Sequence, residues 1–284
     1  MVNQSATRGE ARSGRRALLL AVPVAIVSMA PLVWAGISSL RPGEEIFRYL
    51  SPFSWRTLFP ESVSLDNYLS VLQSPFALAL VNSVSVAFFG VALGLVVAAL
   101  AGYALAVLPF PGRTAVFAFM VVCFLVPFEA IAIPLSASFR EMGLANSYAG
   151  LILPALGNGL SIFLLRQFFM GIPSSLAEAG RLDGLSWFGV LRRIYLPLSR
   201  GPMIGAGLIL FVFQWQSFLW PLLIAPAPDV RVAPVAIADF AQETGVDYGQ
   251  MFAAAILTAA IPLLLLLFFQ RHFTGSTASS GTKE

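Results

Sequence analysis

Six stretches of roughly 20 mostly apolar residues set the terms on which this chain can fold, because about 20 such residues carry an α-helix across a bilayer. They run from Ala17 to Ile37, within Ala77–Leu108, from Ala115 to Phe139 (broken only by Glu129), and then from Gly143 to Leu165, Pro202 to Ala225 and Met251 to Phe269. A water-facing domain carries about 25% charged residues, whereas this chain has 11%, with 58% hydrophobic residues and a mean hydropathy of +0.82. Its solvent is therefore mostly lipid. The expected fold is all-α: a polytopic membrane protein with six transmembrane helices.

The first run follows several arginines, as a signal peptide does. It exceeds the 7–15 apolar residues of such a segment and no A-x-A site follows, so it reads as a retained helix. No charge stands between Asp66 and Arg113, long enough for two short spans. Charge placement opposes that division. With six spans and the N-terminus inside, Arg8, Arg12, Arg15, Arg16, Arg113, Arg166, Arg181, Arg192, Arg193, Arg200, Arg271 and Lys283 lie inside, 12 of the 17 basic residues. Arg41, Arg48, Arg56, Arg140 and Arg231 lie outside. Excess basic charge marks the cytoplasmic side, and a seventh span would invert every later loop. The division expected is a cytoplasmic arm over 1–16, a permease-like domain over 17–272 and a flexible polar tail over 273–284. The outer segment from Ser38 to Ser74 is too short for a domain of its own. Cys123, the single cysteine, has no disulfide partner and reads as a small buried hydrophobe.

One polar island interrupts this pattern. "EAGRLDGLSWFGVLRRIYLP", Glu178 to Pro197, falls inside by the same topology. Its chemistry predicts two short helices. Ser175 and Glu178 have capping-box spacing. Gly184 can stop the first helix in a left-handed turn, and Ser186 can cap the second, which ends near Pro197. Ala179 and Gly180 leave a nearly bare flank where a partner backbone can approach. A plain, well-capped inter-helix loop is the alternative.

The spacing of Glu178, Ala179, Gly184, Ile194, Leu196 and Pro197 resembles the EAA loop of ABC importer permeases, with Gly180 where that pattern has alanine. "GYALAVLPFPGR", "IPLSASFREMGLANSYAGLILP" and "WQSFLWPL" are similar to the carbohydrate-type members, although Gln216 and Ser217 depart from the family's text. The resemblance implies a type I permease fold in the bacterial cytoplasmic membrane. It also implies a second permease subunit, two copies of an ATPase that binds ATP and Mg, and an extracytoplasmic binding protein. The coupling residues would be Glu178, Ala179, Gly180, Asp183, Gly184, Ile194, Leu196 and Pro197, within a loop over 174–197.

The chain has no P-loop and no H-E-x-x-H, so neither ATP hydrolysis nor metal catalysis is expected of it, nor any nucleic-acid partner. His272 reads as an interfacial anchor at the end of the last span. Glu129 either lines a translocation path or bonds within the bundle. Asn82, Gln214, Trp215, Gln216, Ser217 and Trp220 are candidate path residues, since aromatic faces with amide donors suit sugar rings. Aromatic-belt packing and interhelical hydrogen bonding are the alternatives. In span five, Gln214, Ser217 and Pro221 would share one face of a continuous helix. A neutral sugar is the favoured substrate, glycerol phosphate or its diesters the alternative, and a stand-alone secondary carrier the rival class.

Overall fold

The computed structural model describes residues 4–49, 54–60, 62–242 and 245–270. His272, Glu243 and the tail over 273–284 lie outside them. The helices are α1 (Gln4–Ser39), α2 (Asp66–Gln73), α3 (Phe76–Ala106), α4 (Arg113–Leu125), α5 (Phe128–Glu141), α6 (Tyr148–Ile152), α7 (Gly159–Met170), α8 (Ser174–Leu182), α9 (Trp187–Val190), α10 (Leu196–Leu198), α11 (Arg200–Trp215), α12 (Leu219–Ile224), α13 (Ala233–Ala236) and α14 (Tyr248–Phe269). The only sheet among the described residues is a two-residue hairpin, Ala241–Gln242 with Gly245–Val246. Where described, α1 runs unbroken from Gln4 to Ser39 and includes the first span.

The chain forms two compact units. The first joins residues 1–74 to 240–257. Here the outer segment acquires a core of its own. Ile46 and Val71 are fully buried, and Trp34 packs against Phe47 and Phe252. Arg41 is buried as well; its Nη2 donates to the carbonyls of Arg56 and Thr57 at 2.6 and 2.7 Å. Burial pulls its pKa below the ordinary value, with Glu45 and Tyr49 opposing that fall.

The second unit, 75–239 with 258–284, is built on α3. The long uncharged region is thus one 31-residue helix, not two spans. Its buried stripe is made of small residues, among them Ala79, Ser83, Gly90, Gly94, Ala98 and Gly102. Apolar burial drives helices together only weakly in lipid, so close backbone approach matters. At Gly102 a Cβ would sit 3.1 Å from the Arg166 amide nitrogen in α7.

Ala21–Ser39 of α1 and the whole of α3 and α14 are long and apolar enough to span a membrane, and three bent pairs, 113–125 with 128–141, 148–157 with 159–170 and 187–198 with 200–215, bring the number to six if each is one span. The third span is not straight. It bends by 95° between α4 and α5, at Val126, which Pro127 holds in an extended conformation (φ −69°, ψ 121°). A residue before proline is disfavoured in the helical region. The fourth span starts at Tyr148 rather than Gly143, because Gly143 and Asn146 both take positive φ, and Ser147 Oγ caps the new start by accepting from the Gly150 amide. It continues to Met170, beyond Leu165. The fifth is not one helix either: α11 stops at Trp215 and α12 begins at Leu219, so Pro221 lies in a first turn, where its missing N–H goes unmissed. Cys123 is exposed, not buried, as α4 has no fully buried residue.

Candidate functional site

The island folds as an elbow. Its first arm, α8, begins at Ser174 behind an extended Pro173, two residues earlier than the capping box requires, and no side chain caps it. Ser175 is then already inside the helix and Glu178 lies two residues too far in, so the box does not form. The helix ends at Asp183, its C-cap residue, and Gly184 takes φ +85°, the left-handed turn that glycine adopts without strain. The amide of Leu185 donates to Gly180 O at 2.9 Å, closing the end of α8. Ser186 Oγ caps α9 by accepting from the Gly189 amide at 3.1 Å. From Leu191 to Tyr195 the chain widens into a π turn before α10, a form found mostly as single turns and often at functional sites.

The bare flank at Gly180 is filled from within. A Cβ there would lie 2.8 Å from Ile194 Cδ1, and Gly180 is buried. The second arm occupies the space beside Gly180, bringing Ile194, 14 residues on, against α8, while Ala179 stays exposed. Leu196 is half-buried beside them and Pro197 is exposed.

Three contacts fasten the elbow to the bundle. Tyr103 of α3 donates from its hydroxyl to Trp187 O at 3.0 Å. Its ring meets Tyr195 edge-on at 5.2 Å, and Tyr195 meets Phe169 of α7 at 5.7 Å. Arg181 lies 4.9 Å over the Trp187 ring and donates to Leu185 O. The outward surface is left with Glu178, Ala179, Asp183 and Gly184, all exposed. Beside them stand two residues that motif reasoning passed over: Leu182 is 89% and Phe188 64% exposed. Large apolar side chains in a loop otherwise this polar mark a contact surface. Their signal in the sequence was apolar residues flanking a glycine turn.

The candidate path residues do not converge on one site. Asn82 is fully buried; its amide donates to Asp229 O and Arg231 O at 3.0 and 2.9 Å, and its oxygen accepts from Tyr148 Oη at 2.6 Å. Trp220 is buried, donates to Gly150 O at 2.9 Å and sits between Phe128 and Phe139. Trp215 stacks on Phe211 and lines a wholly apolar cavity of about 480 Å³ with Val91, Leu95, Gly207 and Leu265. Gln214 lies over Gly90 and reaches Leu151 O at 3.4 Å. Glu129 is exposed in the first turn of α5, where a negative charge suits the helix dipole. Gln216 is exposed and Ser217 half-exposed in the break after α11. The single face proposed for Gln214, Ser217 and Pro221 is absent, because that break separates them.

Residues 90–277 match the family described as "Binding-protein-dependent transport system inner membrane component". The chain belongs to this family. The permease is 31% identical over 265 residues to the arabinooligosaccharides transport system permease protein AraQ of Halalkalibacterium halodurans, covering 92% of this chain and 93% of that one. It is 32% identical over 233 residues to the sn-glycerol-3-phosphate transport system permease protein UgpE of Salmonella typhi, covering 79% and 83%. Its fold is similar to a chain in the crystal structure of a bacterial ABC transporter that imports the acidic polysaccharide alginate, with TM-score 0.79 and 20% identity over 93% of this chain and 97% of that one. The permease is thus a multi-pass inner-membrane subunit of an ABC importer, with three straight and three bent spans.

Proposed function

We propose that the permease forms half of the translocation path of an ATP-driven carbohydrate importer, paired with a second permease subunit. Two ATPase subunits, which bind ATP and Mg, and an extracytoplasmic binding protein complete the assembly. The elbow over 174–197 is the surface that couples it to an ATPase. One observation carries this reading: the elbow exposes Glu178, Ala179, Asp183 and Gly184 together with the apolar side chains of Leu182 and Phe188, while Gly180 is buried against Ile194. In this reading the N-terminus, the C-terminus and the elbow are cytoplasmic.

A neutral sugar is the substrate class. The path candidates still free to contact a ligand, Glu129, Gln216 and Ser217, include no cation, and an anionic substrate would favour one. Glycerol phosphate is the second reading, motivated by the similarity to UgpE. Gly184→Leu, which forces a branched side chain into φ +85°, tests the coupling. The assembled complex should remain in the membrane and lose substrate-stimulated ATP hydrolysis. Wild-type stimulation would sink the reading. Binding of sugars and of glycerol phosphate to the cognate binding protein separates the two substrate classes.

A further inference from the structure

Away from the elbow, two arginines converge on the end of α3 without a negative partner. Arg113, the first residue of α4, donates from Nη1 to the carbonyls of Ala106 and Leu108 at 3.2 and 3.4 Å. Arg166, in the last turns of α7, donates from Nε to Leu105 O at 3.2 Å and lies 3.7 Å over the Phe117 ring. Two of the three carbonyls end α3 and the third lies two residues beyond it, so the guanidinium groups are neighbours, close enough to repel each other. Among the described residues no carboxylate pairs with either one. Nor, among the described residues, does any group accept from Nε and Nη2 of Arg113 or from Nη1 and Nη2 of Arg166.

The α3 carbonyl end offsets part of this charge. It does not balance two guanidiniums, and Arg113 opens its own helix, where the dipole disfavours a cation. The surroundings fit one class of ligand. Arg113 lines an open cleft of about 770 Å³ with Pro109, Phe110, Pro111 and Thr114. Running away from it along α4, Val116 and Phe119 are exposed and apolar. This is a cationic fork set at the end of a membrane-length helix, with an apolar track below it.

We propose that Arg113 and Arg166 hold the phosphate of an anionic phospholipid, its acyl chain lying along the exposed side of α4. Arginine suits this role because its planar donors match phosphate oxygens in pairs. A juxtamembrane cation is drawn to an anionic membrane surface, and two held at one spot select a headgroup. The proposal depends on the spans lying in a bilayer and not on the coupling reading.

The assembled transporter, in nanodiscs of phosphatidylcholine with and without phosphatidylglycerol, provides the test. Native mass spectrometry of the released complex should show phosphatidylglycerol retained in preference to phosphatidylcholine. Arg113→Gln with Arg166→Gln should lose that preference, and Arg113→Lys with Arg166→Lys should keep most of it. An unchanged preference in the glutamine variant overturns the proposal. So does thermal protection of the wild type, but not the glutamine variant, by inorganic phosphate in phosphatidylcholine discs, which would assign the fork to a soluble phosphate. If the glutamine variant fails to assemble, a photoactivatable phosphatidylglycerol on the wild type decides. Adducts within residues 107–119 or 163–170 support the site, and adducts found only elsewhere refute it.

Discussion

Asn82 illustrates how little an isolated polar residue in a span says about transport. Both its amide hydrogens and its oxygen are engaged, strapping α3 to the segment before α13 and to Tyr148. Replacing it by leucine removes three hydrogen bonds from a buried side chain. Each is worth about 0.5–1.5 kcal/mol, so Asn82→Leu should lower the thermal midpoint of the purified complex by several degrees. A midpoint within a degree of wild type would mean that the strap is dispensable. Glu178 is the opposite case. Its carboxylate is exposed and caps nothing, so Glu178→Ala should leave stability unchanged and weaken ATPase association, read by co-purification of the two subunits. A stability loss without an association defect would contradict the docking role. The sequence placed Asn82 and Glu178 in spans and loops correctly. It held no information on which polar atoms are already paired, since those partners stand up to 149 residues away.

At the scale of elements, local chemistry was readable and breaks within spans were not. Gly184 and Ser186 mark the elbow turn because the left-handed conformation and the side-chain cap are decided within a few residues. The capping box at Ser175 failed through a shift of two residues, since Pro173 starts α8 at Ser174. The bend at Val126 and the break after Trp215 were hidden because a proline opens the helix that follows each, leaving hydropathy continuous through both. The close packing of Gly180 on Ile194 was equally hidden. Hydropathy is blind to side chains meeting across a turn. What fastens the elbow to the bundle is one hydroxyl and an aromatic cluster. Tyr103→Phe keeps the rings and removes only the bond to Trp187 O. The substitution should preserve assembly and basal ATP hydrolysis while reducing substrate-stimulated hydrolysis and uptake. If stimulation and uptake match wild type, the aromatic contacts alone carry the elbow's motion to α3.

For the whole molecule, the number of spans and the side on which the elbow lies are separate questions. The first follows from helix length: α3 covers about 46 Å at 1.5 Å per residue, enough for one crossing and its interfaces, so the uncharged region before Arg113 counts once. The 95° bend between α4 and α5 shortens the reach of span three without adding a crossing, provided that the pair is one span, whereas the 86° bend lies where the elbow's second arm, 187–198, meets α11. Parity then puts both termini on one side, and only the distribution of basic residues orients them. That argument has physical force because arginines in short loops resist translocation, and the elbow alone holds Arg181, Arg192 and Arg193, all exposed. An impermeant thiol reagent added to intact cells provides the test. Cys123 is exposed on α4 and must first be replaced by serine. In that background, cysteine substituted at Ser62 should label, and cysteine at Ser5 or Ser186 should label only after the membrane is broken. Labelling at Ser186 in intact cells would turn the elbow outward, away from any ATPase, and the coupling reading would fall with the topology. Labelling at Ser5 alone would instead remove the first span from the count and leave the elbow's side to the remaining five.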